Sequence, residues 1–589
     1  MTILTHLTDL YERMQQTGEA PKRGFSSEKI SYELVIDKDG TPLRLSSIQQ
    51  LSGKKPAPRV MSVPMAVKRS SGIKPNLFWD KSAYVLGVTA LENEEGEVVA
   101  SQGKRTAQEH QAFVDAHLEL LEGAKDEGLT ALVKFLQGWH ADRFTELVFP
   151  PEALDENIVF RLEGDVGADG APRFLHDRPA VLPYLSSDND ADAALCLVTG
   201  EQAPIARLHP SIKGVMGAQS SGAALVSFNG EPYESFGKEQ GSNAPVSEYA
   251  AFAYGAALNA LLAKGSHRSL RIGDATVVFW AKAATHQASS FAEMLLGQAL
   301  SPPTEQDETN KLRASLMNIA LGRDVEAREF DPSTKVFVLG LAPNAARVSV
   351  RFWYMSGLQE FAANIARFWG DLALEPSGFK GPPAAWALLY ETALQRKAEN
   401  IPPLLGGALM QAVLHGKPLP RTMLSAIMGR IRAEGDINGR RVAIMKAVIN
   451  RRTREEIPVS LDRESSNSAY RLGRLFALLE RAQSAALPGL NATIKDRYFG
   501  AASATPARVF PLLMRTANHH LSGLKKGEGS GLGYWLEREI GEVWLGLSAD
   551  LPRTLTLEDQ GRFCAGYYHQ RWSKNDKVEQ LEENEVVHA

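Results

Sequence analysis

The chain changes character at one place. Between Glu375 and Trp386 it reads "EPSGFKGPPAAW", a run of Gly, Pro and Ser that suits neither a helix interior nor a central strand. Beyond it nearly every segment carries apolar residues at helical spacing, as in "WALLYETALQ", "RTMLSAIMGRIR", "RVAIMKAVINRR" and "AYRLGRLFALLERAQSAAL". Before it, strand-like runs alternate with helical ones. Two periodicities on either side of one breaker point to the α+β class: a mixed α/β N-terminal part followed by an all-helical C-terminal bundle. The expected boundaries are 1–375 for the mixed part, with two subdomains dividing near 150, then 376–454 for a helical linker or bundle and 455–589 for a further helical domain.

Within the mixed part, "ISYELVIDKDG" and "AYVLGVTAL" read as strands, with "DKDG" a turn between apolar runs. "FVDAHLELLEGA" and "LTALVKFLQGW" read as helices. "GAALVSFNG" is expected as a strand that delivers a polar loop, "SFNGEPYESFGKEQGSNAPV" (Ser227–Val246), with a helix over 246–263 after it. Further strands are expected over 270–285 and 335–354, the latter broken by Pro343–Asn344 into a hairpin or bulge. The opening "MTILTHLTDLYERMQQ" lacks a basic start and a continuous apolar core, so it reads as an amphipathic helix and not as a signal peptide. The longest apolar stretch, "AAFAYGAALNALLA", is shorter than the roughly 18 residues a membrane span requires, and it contains Asn259. There are two cysteines, Cys196 and Cys564, and no CxxC pair. That excludes a Cys-rich zinc site and leads to the expectation of a reducing, cytoplasmic setting.

A formal net charge of −4 carries no global signal for nucleic acid, so local patches decide. From Leu51 to Ser82 the chain holds seven Lys and Arg residues against Asp80 alone. Inside that stretch, "KRSSGIKPNLFWD" combines Lys68, Arg69, Lys74 and Asn76 with a flexible glycine. The combination suits phosphate and base-edge contact; it also suits a solvated loop over a core anchored by Phe78 and Trp79. A second patch, Arg421–Arg454, holds nine cations and two acids. On the helix after it, Arg471, Arg474 and Arg481 form a stripe away from Leu472, Leu475, Phe476 and Leu479. The stripe is placed either to run along a phosphate backbone or to meet neighbouring acids. The Ser227–Val246 loop offers Lys238, Gln240 and Asn243, types that bond base edges and that also form turns. It adds Phe228, Tyr233 and Phe236, rings available for stacking.

Signatures of catalysis do not assemble. The sequence has no GxxxxGK[ST], HExxH, GxSxG or EF-hand pattern, and "KKGEGSGLG" (Lys525–Gly533) fails GxGxxG. Cys196 and His209 flank "LVTGEQAPIARL" as a conceivable nucleophile pair, but a buried structural thiol explains Cys196 more simply. No catalytic residue, metal site or cofactor is assigned.

Several segments, taken in order, point to one family. They include "GFSSEKISYELVIDKDG", "VPMAVKRSSGIKPNLFWDKSAYVLG", "CLVTGEQAPIARLHPSIKGVMGAQSSGAALVSFNGEPYESFGKEQGSNAPVSE", "VLGLAPNAARVSVRFW", "SAYRLGRLFALLERAQ" and "GRFCAGYYHQRW". Together they resemble the large subunit of the type I-C CRISPR–Cas surveillance complex (Cascade, the Dvulg subtype) over nearly the whole chain. The resemblance implies a non-catalytic subunit that recognises the protospacer-adjacent motif in duplex DNA and helps bind the 5′ handle of the guide RNA. It further implies that the subunit stabilises the R-loop and helps recruit a separate helicase–nuclease. The implied partners are guide RNA, the target duplex with its displaced strand, the backbone, handle-binding and small subunits, and that nuclease, with no membrane. On this reading Lys74, Asn76, Gln219, Lys238, Gln240 and Asn243 lie at the motif, and Lys68, Arg69, Arg471, Arg474 and Arg481 contact phosphates. Residues 455–589 resemble the small subunit, expected as a separate product of an internal start near Met445 or Val459. The alternatives are a guide-RNA-binding scaffold without motif readout, and a hydrolase.

Overall fold

Asp37 closes the "DKDG" turn as its side chain predicts. Its Oδ1 accepts from the Asp39 and Thr41 N–H groups at 2.9 and 2.8 Å, and Gly40 takes φ +80°. A Cβ at Gly40 would sit 2.5 Å from the Phe135 nitrogen, so the turn packs directly on the helix Glu127–Gly138. The strands joined here, Tyr32–Ile36 and Pro42–Ser47, belong to a five-stranded sheet. In the same sheet Asn157–Val166 runs parallel to Tyr32–Ile36 and antiparallel to Pro172–Phe174 and Trp79–Lys81. Helices Lys104–Leu120 and Glu127–Gly138 supply Phe113 and Phe135 to a core shared with Leu34, Phe160 and Leu175. Sheet and core therefore continue across residue 150.

The computed structural model describes residues 2–572 except 53–54, 68, 70–71, 168–169, 186–192, 326–330, 332, 403, 527–529 and 549. Lys68, and the centre of the glycine-rich run Lys525–Gly533, lie outside the described residues. The chain divides into two compact units. The first is residues 1–210 with 226–260, and the second is residues 211–225 with 261–589. In the first, the N-terminal segment is the expected amphipathic helix, Ile3–Gln16, capped by the Thr2 hydroxyl, with Leu7, Leu10, Tyr11 and Met14 buried.

The second unit is built on a six-stranded sheet. Its order is Ser211–Ile212, Ala223–Ala224, Arg347–Gly357, Lys335–Asn344, Ala275–Lys282, Ser269–Ile272. The expected strands are present, and Pro343–Asn344 does end one arm of a hairpin, with Asn344 opposite Arg347 and a bulge at Gly340–Leu341. Helices from Ala385–Tyr390 to Leu557–Trp572 follow. One core runs from Ile272 through Leu388 to Tyr568, so the break at 375–386 marks a change of secondary structure on a continuous core.

Two expected strands differ. "AYVLG" starts as the short helix Ser82–Val85, and the strand begins later, at Thr89–Glu92. Ser82 to Leu86 are all buried, and a short apolar run buried on every side carries no period that separates helix from strand. "GAALVSFNG" pairs only at Ala223–Ala224, because Gly222 at φ +94° precedes it and the residues after Ala224 turn into irregular chain.

The helices Ser468–Ala486 and Leu557–Trp572 touch backbone to backbone. A Cβ on Gly473 would lie 2.0 Å from the Phe563 carbonyl oxygen, and one on Gly566 would lie 2.0 Å from that of Tyr470. Neither obstacle is a side chain that can rotate away. Gly473→Ala and Gly566→Ala are expected to lower stability by about 2–3 kcal/mol each in denaturant titrations. Gly500→Ala, whose Cβ meets open space in the helix Ile494–Ala504, is expected to be neutral or to stabilise by roughly 0.5 kcal/mol.

Candidate nucleic-acid interface

The basic loop after the strand Arg59–Pro64 is organised around a buried carboxylate. Asp80 accepts from the Arg69 guanidinium, from Asn76 N–H at 2.8 Å and from Lys81 N–H at 2.8 Å. Burial pushes this carboxyl up, and Arg69 pulls it back. Arg69 also donates to the Lys74 carbonyl at 2.7 Å and lies over the Tyr84 ring at 4.2 Å. Its Nε and Nη2 thus hold the loop. Asn76 is only 4 % exposed, and its Oδ1 accepts from Val67 N–H at 2.8 Å. Its amide braces the loop from within. Lys74 is exposed, and Arg69 is exposed as well.

Phe78 anchors the same loop at φ +65°, held by His117. His117 Nε2 accepts from Phe78 N–H at 2.8 Å while Nδ1 faces the Phe113 carbonyl at 2.7 Å. Only the neutral ring with its proton on Nδ1 satisfies both. Burial holds this histidine down at about 4.

The second loop is stapled by Asn243. Its Oδ1 accepts from Ser235 N–H at 2.9 Å, and its Nδ2 donates to the carbonyls of Lys238 and Gln240 at 2.8 and 3.1 Å. Gly241 fixes the base: a Cβ there would lie 2.0 Å from the Ala206 carbonyl oxygen, and its N–H donates to Arg207 at 3.1 Å. Gln240, half-exposed at φ +44°, accepts on Oε1 from Arg207 Nε at 2.6 Å. Lys238 and Arg207 are exposed. Structure therefore joins Lys238, Gln240 and Asn243 in one braced loop and adds Arg207, which sequence reasoning missed. Thirty-three residues separate Arg207 from Gln240, and no local pattern marks the pair. Gln219 is exposed and belongs to the second unit.

The arginine stripe on Ser468–Ala486 is not a free face. Arg474 is 3 % exposed and donates to Gln570 and to the carbonyls of Asp462 and Arg463. Arg471 donates to the Ser465 carbonyl, and Arg481 lies over the Trp535 ring at 5.1 Å. Helical spacing separated the stripe from the leucines, but a helix packed on several sides buries Arg474 with them and leaves Arg471 and Arg481 half-buried. The exposed basic face lies instead on Pro506–Leu524, a helix with no acidic residue. There Arg508, Arg515 and His519 are exposed and fall within about 40° of one another around the axis.

Cys196 and His209 hold separate structural partners. The Cys196 sulfur accepts N–H groups from Ser247, Val198 and Thr199 at 3.2, 3.4 and 3.5 Å. Burial pushes this thiol up, but the hydrogen bonds from Ser247 and Thr199 together outweigh it and hold it at about 7. His209 Nδ1 is 2.8 Å from the Tyr254 hydroxyl. Among the described residues no group of three or more His, Cys, Asp or Glu is placed to hold a metal ion, and no helix is long and apolar enough to cross a membrane.

Residues 7–573 match the family described as CRISPR-associated protein (Cas_Csd1). The chain belongs to that family. Membership makes it a non-catalytic large subunit of the type I-C surveillance complex, acting in DNA and RNA recognition within a multi-subunit assembly. No curated protein matches the chain.

The buried histidines set an acid limit on this fold. His117, His176 and His569 are all held down at about 4 by burial. Between about pH 6.5 and 4 the unfolded chain takes up protons that the folded chain refuses, so stability falls as pH falls through that window. Urea midpoints are expected to drop steadily from pH 7 to 4.5, each histidine contributing up to roughly 3 kcal/mol at the acid end. His117→Gln is expected to make that drop shallower.

Proposed function

We propose that the first unit of this subunit reads the protospacer-adjacent motif on duplex DNA. The observation that carries this reading is the braced Ser235–Asn243 loop, in which Asn243 holds the backbone so that Lys238 and the Arg207–Gln240 pair face solvent. Arg207 occupies the Gln240 Oε1, which leaves the Gln240 Nε2 to donate to an acceptor such as adenine N3 or thymine O2. Lys238 and Lys74 contact phosphates. Asn243 and Asn76 act by positioning, since their amides are spent on backbone groups. Guide-RNA handle binding and recruitment of a helicase–nuclease are proposed with it, and family membership supports them.

The test is binding of the reconstituted complex to two guide-matched duplexes, one with and one without the flanking motif, at several salt concentrations. Gln240→Ala is expected to cost roughly 1–3 kcal/mol of preference for the motif. Lys74→Ala is expected to weaken both duplexes alike and to reduce the salt slope by about one. Motif preference that survives in Gln240→Ala and in Arg207→Ala overturns the assignment. A wild type with no preference at all favours a guide-RNA scaffold.

The helices from Ser468 to Trp572 are proposed to serve as a small subunit along the displaced strand, with Arg508, Arg515 and His519 toward phosphates in place of the buried Arg474. An internal start near Val459 precedes the helix Ser468–Ala486, whereas Met445 lies inside the helix Gly439–Asn450. A C-terminal immunoblot of natively expressed protein is expected to show a short second band of the size set by Val459; full-length protein alone removes this idea.

A further inference from the structure

Phe236 is 98 % exposed at the tip of the loop that Asn243 braces. It sits in a tight turn, Ser235–Lys238, closed by Lys238 N–H donating to the Ser235 carbonyl at 3.0 Å. Both central residues lie in the left-handed region, Phe236 at φ +54° and Gly237 at φ +69°. Such turns are least strained with Asn, Asp or Gly at those positions. A bulky aromatic there carries backbone strain, and an exposed phenyl ring finds no burial to offset it. The turn is nonetheless rigid, with three hydrogen bonds from one Asn side chain and a base seated on Gly241.

Charge narrows what the ring meets. Glu231, Glu234 and Glu239 are exposed in the same loop, against Lys238 and the adjacent Arg207. A loop with this balance is a poor clamp along a phosphate backbone. What it advances is an apolar ring on a stiff arm, the shape of side chain that enters between base steps and unstacks them. We infer that Phe236 is the wedge that stacks on the first base pair beside the motif and holds the strands apart there. This rests on the motif-reading role proposed above, and it assigns opening to Phe236 and recognition to Lys238, Gln240 and Arg207.

The two roles separate on a pair of motif-bearing duplexes, one fully paired and one mismatched over the first base pairs beside the motif. The complex carries wild-type protein, Phe236→Asn, Phe236→Ala or Phe236→Trp, and opening is read from 2-aminopurine placed at the first pair. Phe236→Asn and Phe236→Ala are expected to slow opening of the paired duplex by about tenfold or more. Both are expected to bind the mismatched duplex as wild type does, and Phe236→Trp to restore opening. The melting temperature of Phe236→Asn should equal or exceed wild type, because Asn suits the turn. Wild-type opening of the paired duplex by Phe236→Ala and Phe236→Asn overturns the wedge. Equal loss on both duplexes makes Phe236 an ordinary binding contact and also overturns it. Failure of the variants to enter the complex makes the ring a subunit contact, again against the proposal. If wild type binds these two duplexes no better than counterparts that lack the motif, the motif reading itself fails and the wedge falls with it.

Discussion

The second unit depends on two glycines that face each other's helices. Gly473 and Gly566 let the helices Ser468–Ala486 and Leu557–Trp572 meet with no side chain between them. That closeness decides what surrounds the crossing. Phe476, Phe563 and Tyr567 pack edge to face beside it, and the Tyr567 hydroxyl donates to Glu480 at 2.6 Å. Arg474 becomes buried for the same reason: a helix held this tightly on one side and covered by further helices on others has little surface left to give to solvent. The role of a basic face passes to Pro506–Leu524, which lies further from the crossing in sequence and keeps one side open.

In the first unit the governing economy is different. A few polar side chains are turned inward to build two stiff loops. Asp80 gathers Arg69 and the backbone of Asn76; Asn76 holds Val67; Asn243 holds three groups of its own loop. Amide and carboxylate groups used in this way fix backbone shape and leave the exposed side chains on a prearranged frame. Fixing that frame in advance reduces the ordering cost of meeting a partner.

Much of this was legible in the chain. The change of periodicity at 375–386, the "DKDG" turn, the N-terminal helix and the Lys335–Gly357 hairpin all follow from local chemistry, and the structure contains them. The loops that form the candidate interface were also visible as loops. What residue type did not disclose was direction. An Asn in a polar loop looks the same whether it faces a base edge or its own backbone, and only tertiary packing distinguishes Lys74 from Asn76. The pairing of Arg207 with Gln240 and the burial of Arg474 depend on residues 33 and 96 positions away, beyond the reach of any local pattern. Phe236 was visible as a ring among polar residues, but its left-handed backbone was not.

The chain passes between its two units three times in a short stretch, since residues 211–225 belong to the second, 226–260 return to the first, and the second resumes at 261. This has a consequence for the order of assembly on the ribosome. The first unit lacks its loop and the helix Glu248–Leu262 until synthesis has passed residue 260. Meanwhile Ala224 waits for its strand partner Arg347, more than a hundred residues later. At about 5–20 residues per second, that wait lasts several seconds to tens of seconds. During that interval Ala223–Ala224 can pair only with Ser211–Ile212, so the strand that leads into the segment carrying Phe236 is completed late.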